Sequence, residues 1–156
     1  MTRLDLSLTE EELEEFLATE KTVRIATAAE DGTPHVIPLW FVWLDGAMYL
    51  NSTFGNVTVE NIQRTGKASA VVDDGETYDS LRGVVVTGTV ELIGVDDPGL
   101  EDLERAWSEK LLSGNDPPYR RWKRRTWMRL QPERIASWDF RKIPDAIAER
   151  DAARRT

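Results

Sequence analysis

The residues best suited to chemistry lie in one stretch, Asn51–Thr58, where hydroxyl and amide side chains surround a glycine. The pattern is typical of a strand end followed by a helix that begins at Asn56. Free backbone amides and the helix dipole both favour an anion at such a helix start. We therefore expect an anion site here, with further donors from Ser52, Thr53, Thr58 and Asn61. The alternative interpretation is an ordinary loop and helix cap.

No self-contained catalytic group is visible in the sequence. It lacks the G-x-S-x-G, H-E-x-x-H, P-loop and G-x-G-x-x-G motifs. It has no cysteine, which excludes thiolate metal sites and cysteine nucleophiles. Its single histidine, His35, argues against a histidine-rich metal site and against a catalytic triad. Asp73, Asp74 and Glu76 are typical of an exposed acidic loop. We expect no metal and no catalytic side chain, because a bound cofactor would supply any reactive atom.

Charge is divided unevenly along the 156 residues, whose formal net charge is −8. Residues 1–118 carry 8 Lys or Arg against 23 Asp or Glu, whereas residues 119–156 carry 12 against 5. The overall acidity argues against nucleic-acid binding, which needs a surplus of cations. The sequence has neither a signal peptide nor a run of about 20 apolar residues that would span a membrane. We expect a soluble cytoplasmic protein.

Alternating apolar residues and turn signals predict the elements that position the anion site. Thr9 and Glu12 form a capping box, with Leu8 and Leu13 as a hydrophobic staple. Further helices are predicted from Asn56 to Thr65-Gly66 and over Asp97–Leu112. Strands are predicted over Thr22–Ala28, His35–Trp43, Ala47–Ser52, Lys67–Asp73, Gly83–Ile93 and a pair, Thr126–Leu130 and Arg134–Phe140, around Pro132. Strands of this number and length favour a closed or nearly closed antiparallel β-barrel with short helices.

The chain is short enough for one domain. We assign residues 1–143 to it, with an N-terminal helix in 1–20 and a helical insertion carrying a basic segment in 97–125. Residues 144–156 form a polar tail. Trp40 and Trp43 lie three apart on one predicted strand and so point to opposite faces. Core packing is favoured for both, the alternative being that one of them forms a pocket wall or a dimer contact. Trp107 is expected in the core, and Trp122, Trp127 and Trp138, which are interleaved with arginine, are expected at an interface.

Three stretches in this order resemble the pyridoxamine-phosphate-oxidase-like, FMN-binding split-barrel superfamily. They are PHVIPLWFVWLDGAMYLNST, GNVTVENIQRTGKASAVVDD and YDSLRGVVVTGTVELI. Within the superfamily, the chain is most similar to the small actinobacterial branch that uses the deazaflavin coenzyme F-420. The resemblance runs from about Thr22 to Ile93, and Gln131–Lys142 is similar to the end of that branch.

The resemblance implies a homodimer of six-stranded split barrels with cofactor sites at the subunit interface. The cofactor-binding residues would be Pro38, Leu39 and Trp40 along the ring, Asn51, Ser52, Thr53, Asn56, Val57, Thr58 and Asn61 around the phosphate, and Arg82 and Gly83 near the ring or its tail. Hydride would pass between F-420, or FMN, and a small conjugated organic substrate. The alternatives are a non-catalytic carrier of flavin, F-420 or haem, a cofactor-free barrel and, more weakly, pyridoxamine-phosphate oxidase activity.

The chain departs from the family pattern at Val57-Thr58, where the family usually has Arg-Lys or a single Lys. Each lost charge-assisted hydrogen bond to phosphate is worth about 1.5–3 kcal/mol. Two interpretations of the basic run Arg120–Arg125 follow. It supplies the missing positive charge, which would suit an extended anion such as an oligoglutamate tail. Alternatively, it is a solvated face that pairs with the acidic body of the protein.

Overall fold

Six antiparallel strands form a closed barrel in the computed structural model, which describes residues 4–116 and 124–155. The predicted six-stranded barrel is confirmed. The strands are β1 (Thr22–Ala28), β2 (Pro34–Leu44), β3 (Ala47–Thr53), β4 (Lys67–Asp74), β5 (Arg82–Gly94) and β6 (Arg125–Asp139). Their order around the barrel is β1-β2-β3-β6-β5-β4. The helices are α1 (Glu10–Thr19), α2 (Val57–Thr65), α3 (Glu101–Leu111) and α4 (Ile143–Ala153). None of the described helices is both long and apolar enough to cross a membrane.

The last strand differs from the prediction of a strand pair around Pro132. β6 is one continuous strand of 15 residues that pairs with β3 near its start and with β5 along most of its length. Pro132 lies opposite Gly88, where the register between β5 and β6 shifts. A proline, which has no N–H to donate, is tolerated at such a bulge. The prediction of two strands was therefore wrong, because the strand continues through the register shift at Pro132.

Apolar side chains from all six strands fill the barrel. Phe16 and Leu17 of α1, together with Val59 and Ile62 of α2, join this core. The Thr9 hydroxyl accepts a hydrogen bond from the Glu12 amide, and the Glu12 carboxylate accepts one from the Thr9 amide, so the predicted capping box is confirmed. The two helices thus add apolar surface that the short strands alone do not supply.

A second apolar cluster joins α3 to the barrel. Trp107 of α3 and Trp127 of β6 meet edge to face, with ring centroids 5.0 Å apart, and Val42, Leu103 and Leu111 surround them. The core position predicted for Trp107 is confirmed. Trp127 is fully buried in this cluster, so the interface expected for it was wrong; its side chain points to the face of β6 that α3 covers. Trp122 lies outside the described residues.

Candidate functional site

The barrel is split between β2 and β3. These strands pair only from Phe41↔Leu50 to Leu44↔Ala47, close to the turn that joins them. Beyond Leu50, β3 keeps only its pairing with β6, and residues 34–40 of β2 keep only their pairing with β1. Two backbone segments, one on each strand, therefore diverge from the Phe41–Leu50 pair.

The β2 side of the split presents a backbone edge. The Phe41 amide donates to the carbonyl of Lys21, the residue just before β1. Odd-numbered residues of β2 therefore turn their backbone groups towards β1, and even-numbered residues turn theirs away. No strand in the described part of the chain pairs with that outer edge at Val36, Pro38 and Trp40. Their carbonyls, and the amides of Val36 and Trp40, are thus placed to hydrogen-bond a ligand.

The side chains of the same three residues face solvent. Val36 is 57% exposed and Trp40 is 48% exposed, while Leu39 is half-buried and packs against the core. The core position expected for Trp40 was wrong, because it lies on the outward face of β2. Trp43 does pack against the core, and its indole N–H lies 3.0 Å from each carboxylate oxygen of Glu14.

The β3 side of the split leads into the start of α2. Asn51 and Ser52 are buried, and the chain then turns through Gly55, whose φ of +91° is in the region that favours glycine. Asn56 occupies the N-cap position, as predicted, but makes no capping side-chain hydrogen bond; its Nδ2 lies 3.4 Å from Ser52 Oγ. The first amides of α2 have no partner within the helix. Val57 is 48% exposed at this helix start.

Two buried polar atoms next to this turn have no hydrogen-bond partner. They are Asn51 Nδ2 and Thr58 Oγ1, on residues that are only 5% and 1% exposed. Such atoms are costly to bury unless something satisfies them. Asn61 plays a different part: its Nδ2 donates to Thr27 Oγ1 at 3.0 Å, which ties α2 to β1.

Two residues of the basic run lie against this turn. The Phe54 amide donates to the Arg124 carbonyl at 2.8 Å, and Arg124 Nη2 donates back to the Phe54 carbonyl at 3.2 Å. Arg125 pairs with Thr53 in the sheet, and its Nη1 lies 3.3 Å from Asn51 Oδ1. Arg120, Arg121 and Lys123 lie outside the described residues. The sequence pointed to the run as a whole, and strand pairing assigns Arg124 and Arg125 to the turn.

Arg82 and Gly83 lie away from the start of α2. Arg82 pairs with Asp139 at the end of β6, whereas Thr53 pairs with Arg125 at its beginning. The Arg82 guanidinium lies over the Phe16 ring and forms an ion pair with Asp74. Gly83 faces outward beneath the Trp138 indole. The structure therefore brings together most of the predicted phosphate residues, and Arg82 and Gly83, which were predicted near the ring or its tail, lie beside the other end of β6.

Sequence reasoning did not single out Val36. Val36 lies on the same outward face and open edge of β2 as Pro38 and Trp40. Because every second residue of a strand points to the same face, the spacing of Val36 from Pro38 and Trp40 would have identified it. Metal binding finds no support in the described ranges, where no three His, Cys, Asp or Glu side chains come together.

Comparison with known proteins agrees with this architecture. The family model described as pyridoxamine 5'-phosphate oxidase matches residues 9–139. None of the curated proteins matches the chain.

Solved structures are similar over most of the chain. A conserved hypothetical protein from Mycobacterium tuberculosis is 28% identical with a TM-score of 0.76, and 92% of each chain is covered. An FAD-binding protein from Mesorhizobium loti is 26% identical with a TM-score of 0.66, over 84% of this chain and 93% of that one. An F-420 reductase, 23% identical with a TM-score of 0.61 over 79% and 94%, shares the fold. The family match and these barrels together show that the chain belongs to the pyridoxamine 5'-phosphate oxidase-like split-barrel family.

Proposed function

We propose that this protein is a flavin- or deazaflavin-dependent oxidoreductase that binds F-420, or alternatively FMN, in the split between β2 and β3. The observation that carries the proposal is the split itself. An open backbone edge lies on one side, at Val36, Pro38 and Trp40, and an uncapped helix start lies on the other. A flavin-type cofactor has two parts that match these two sides. Its planar polar ring suits the backbone edge of β2, and its anionic phosphate suits the start of α2.

The residues present fit such a cofactor at both ends. The edge of β2 offers alternating donors and acceptors to the polar rim of a ring. The start of α2 offers amides and a positive dipole end to a phosphate. Asn51 Nδ2 and Thr58 Oγ1 are donors without a partner beside that helix start, as expected where a ligand completes the structure.

A bound flavin or deazaflavin would supply hydride transfer at its ring. The protein's own contribution would be to bind and orient the cofactor and to leave one ring face open to a small conjugated substrate. Trp40, whose side chain is half exposed beside the open edge, is placed to contact either molecule. No proton transfer is assigned to a protein side chain.

The proposal includes a homodimer in which a second copy covers the outward face of β2. That face carries Val36, Pro38 and Trp40 next to one another at alternate positions. A partner there would bury these apolar groups and close the cofactor ring off from water.

Ligand retention tests the cofactor assignment. The purified protein is incubated separately with F-420, FMN, FAD and haemin, free ligand is removed, and the absorbance spectrum is recorded. We expect retention of F-420 or FMN, followed by oxidation of the reduced cofactor when a panel of quinones and unsaturated ketones is added. Retention of no flavin or deazaflavin would contradict the proposal.

A variant pair ties retention to the split. Asn51→Asp places a negative charge at the proposed phosphate position without changing side-chain size, so we expect cofactor affinity to fall about 10-fold or more. Asn115→Asp, in the exposed segment after α3, is the matched control and should bind as the wild type does. Equal affinity in all three proteins would place the cofactor elsewhere.

A non-catalytic cofactor carrier is the second candidate. The observation that favours it is the neutral start of α2, where Val57 and Thr58 stand and the only charged residue in the first turn is Glu60. Retention of haemin alone, or of a flavin that is never reoxidised by any acceptor, would support this candidate.

A further inference from the structure

The start of α2 brings no positive side chain to the proposed phosphate site. Glu60 is acidic, and the basic residue of the helix, Arg64, lies in its last turn. Arg64 is also engaged there, since its Nη2 donates to the Ala28 carbonyl and lies 3.2 Å from Asn61 Oδ1. Any cation that meets a phosphate at this end must therefore come from another element.

Arg124 lies against the turn that precedes α2. Its guanidinium packs on Gly55 so closely that a Cβ at that glycine would lie 3.0 Å from Arg124 Nη2. The backbone is held by the reciprocal bonds between Phe54 and Arg124. Because the Phe54 carbonyl is neutral, this contact orients the guanidinium without cancelling its charge. Arg124 is exposed, so its remaining donors are open to a ligand at the helix start.

Arg125 reaches the same turn from the neighbouring position on β6. Its Nη1 lies 3.3 Å from Asn51 Oδ1, which orients the Asn51 amide. The other end of that amide, Nδ2, is buried and has no hydrogen-bond partner. This unsatisfied donor is independent of the helix dipole and indicates that a further acceptor belongs beside Asn51.

We propose that Arg124, just before β6, and Arg125, its first residue, form a phosphate clamp that takes the place of basic side chains at the start of α2. This inference rests on the cofactor site proposed above and adds which charges hold its anion. The ligand group is a phosphate ester of a flavin or deazaflavin. An arginine guanidinium can donate two parallel hydrogen bonds to phosphate oxygens. The amides of α2 and Asn51 Nδ2 would supply the remaining donors.

The clamp also explains how an anion is held by an acidic chain. Residues 1–118, which supply β1 to β5 and α1 to α3, carry 23 acidic against 8 basic residues. Their summed field opposes a phosphate. Arg124 and Arg125 would contact the phosphate directly, at a few ångströms. Their attraction therefore outweighs the repulsion from the acidic residues, which salt screens within about 10 Å.

Matched ligands with and without phosphate test the clamp. Dissociation constants are measured by fluorescence for FMN against riboflavin, and for F-420 against its phosphate-free chromophore, in wild type, Arg124→Gln, Arg125→Gln and the double variant. We expect each single variant to weaken the phosphorylated ligand about 10-fold and the double variant about 100-fold, with the phosphate-free ligands unchanged. The affinity of the double variant should also depend less on salt.

Two controls separate charge from folding. Arg134→Gln removes an exposed arginine from the same strand, where it pairs with Thr87 far from the turn, and should leave every affinity unchanged. Arg124→Lys keeps the charge but loses the planar fork, and should bind between the wild type and Arg124→Gln. Thermal unfolding by circular dichroism confirms that the variants are folded.

The outcomes distinguish the clamp from the cofactor site. If the wild type binds phosphorylated and phosphate-free ligands equally, or if the double variant binds FMN and F-420 as tightly as the wild type, the clamp is wrong while the cofactor site stands. If the wild type binds no flavin or deazaflavin, both are wrong.

Discussion

The Lys110 side chain links two helices at the residue scale. Its Nζ on α3 donates to the Leu17 carbonyl on α1 at 2.9 Å and lies 3.9 Å from the centroid of the Phe41 ring. Burial lowers the pKa of Lys110 from 10.5 to about 8; Glu20 opposes this shift and Lys21 adds to it. Folding therefore places a lysine that titrates near neutrality between the helices.

Replacement of Lys110 tests that pKa. Between pH 8 and 10 the unfolded chain holds the Lys110 proton that the folded protein has released, so wild-type stability rises with pH relative to Lys110→Met. We expect the difference in unfolding free energy to move by about 1 kcal/mol in favour of the wild type between pH 7 and pH 9.5. Urea unfolding of both proteins at the two pH values measures it. A difference that does not change with pH would contradict the prediction.

The second residue with a shifted pKa is Asp139, whose carboxylate loses its proton in the acidic range. Its carboxylate is buried at the end of β6 and accepts from the backbone amide, Nε and Nη2 of Arg141, the last at 2.6 Å. These hydrogen bonds lower the pKa of Asp139 from 3.8, against the effect of burial.

We expect Asp139→Asn to lose about 1.5–3 kcal/mol of unfolding free energy at pH 7, because bonds to a charged acceptor are lost. The wild type's advantage is present above the unfolded pKa of 3.8 and is lost as the pH falls through the lowered folded value. Urea unfolding at pH 7 and pH 3 measures both effects. The control is Asp145→Asn, at an exposed position on α4, and an equal loss there would refute the role assigned to Asp139.

At the scale of elements, the long β5–β6 pairing determines where glycine is needed. Gly83 faces Trp138 across the pair, and a Cβ at Gly83 would lie 2.4 Å from the indole ring. Real side chains do not approach so closely, so one of the two must move. The glycine thus allows the indole to lie flat on the outer face of the sheet.

We predict that Gly83→Ala destabilises the protein by about 1–3 kcal/mol through this overlap. Trp138→Leu in the same chain should recover part of the loss, because it removes the ring that the new methyl meets. A double-mutant cycle from chemical unfolding measures the coupling. Additive effects of the two substitutions would show that the overlap is not the cause.

At the scale of the whole molecule, the basic C-terminal part lies among acidic elements. Arg129 of β6 forms an ion pair with Glu91 of β5, and Lys142 forms one with Glu12 of α1. Both basic residues lie outside the run Arg120–Arg125, so these ion pairs do not test the interpretation in which that run pairs with the acidic body. At the α2 turn, Arg124 Nη2 donates to the Phe54 carbonyl and Arg125 Nη1 lies 3.3 Å from Asn51 Oδ1.

The proposed homodimer makes a prediction about assembly. Trp40→Glu places a charge in the outward face of β2, so we expect a wild-type dimer to become monomeric at micromolar concentration. Ile147→Glu also adds a charge at an exposed apolar residue, but on α4, and should stay dimeric. Sedimentation equilibrium of the three proteins provides the measurement. A monomeric wild type, or an unaffected Trp40→Glu dimer, would refute this interface.

Most elements of this protein could be predicted from local sequence, because helix caps, turns and periodicity act over a few residues. The Thr9 capping box, the helix end at Gly66 and the first five strands of the barrel were predicted in this way. Which distant residues meet depends instead on the tertiary structure. Arg124 reaches Phe54 across 70 positions of chain, and Arg82 lies away from the α2 turn, because strand register and barrel closure determine these contacts. Pro132 likewise looked like a strand end until the bulge opposite Gly88 showed how the sheet accommodates it.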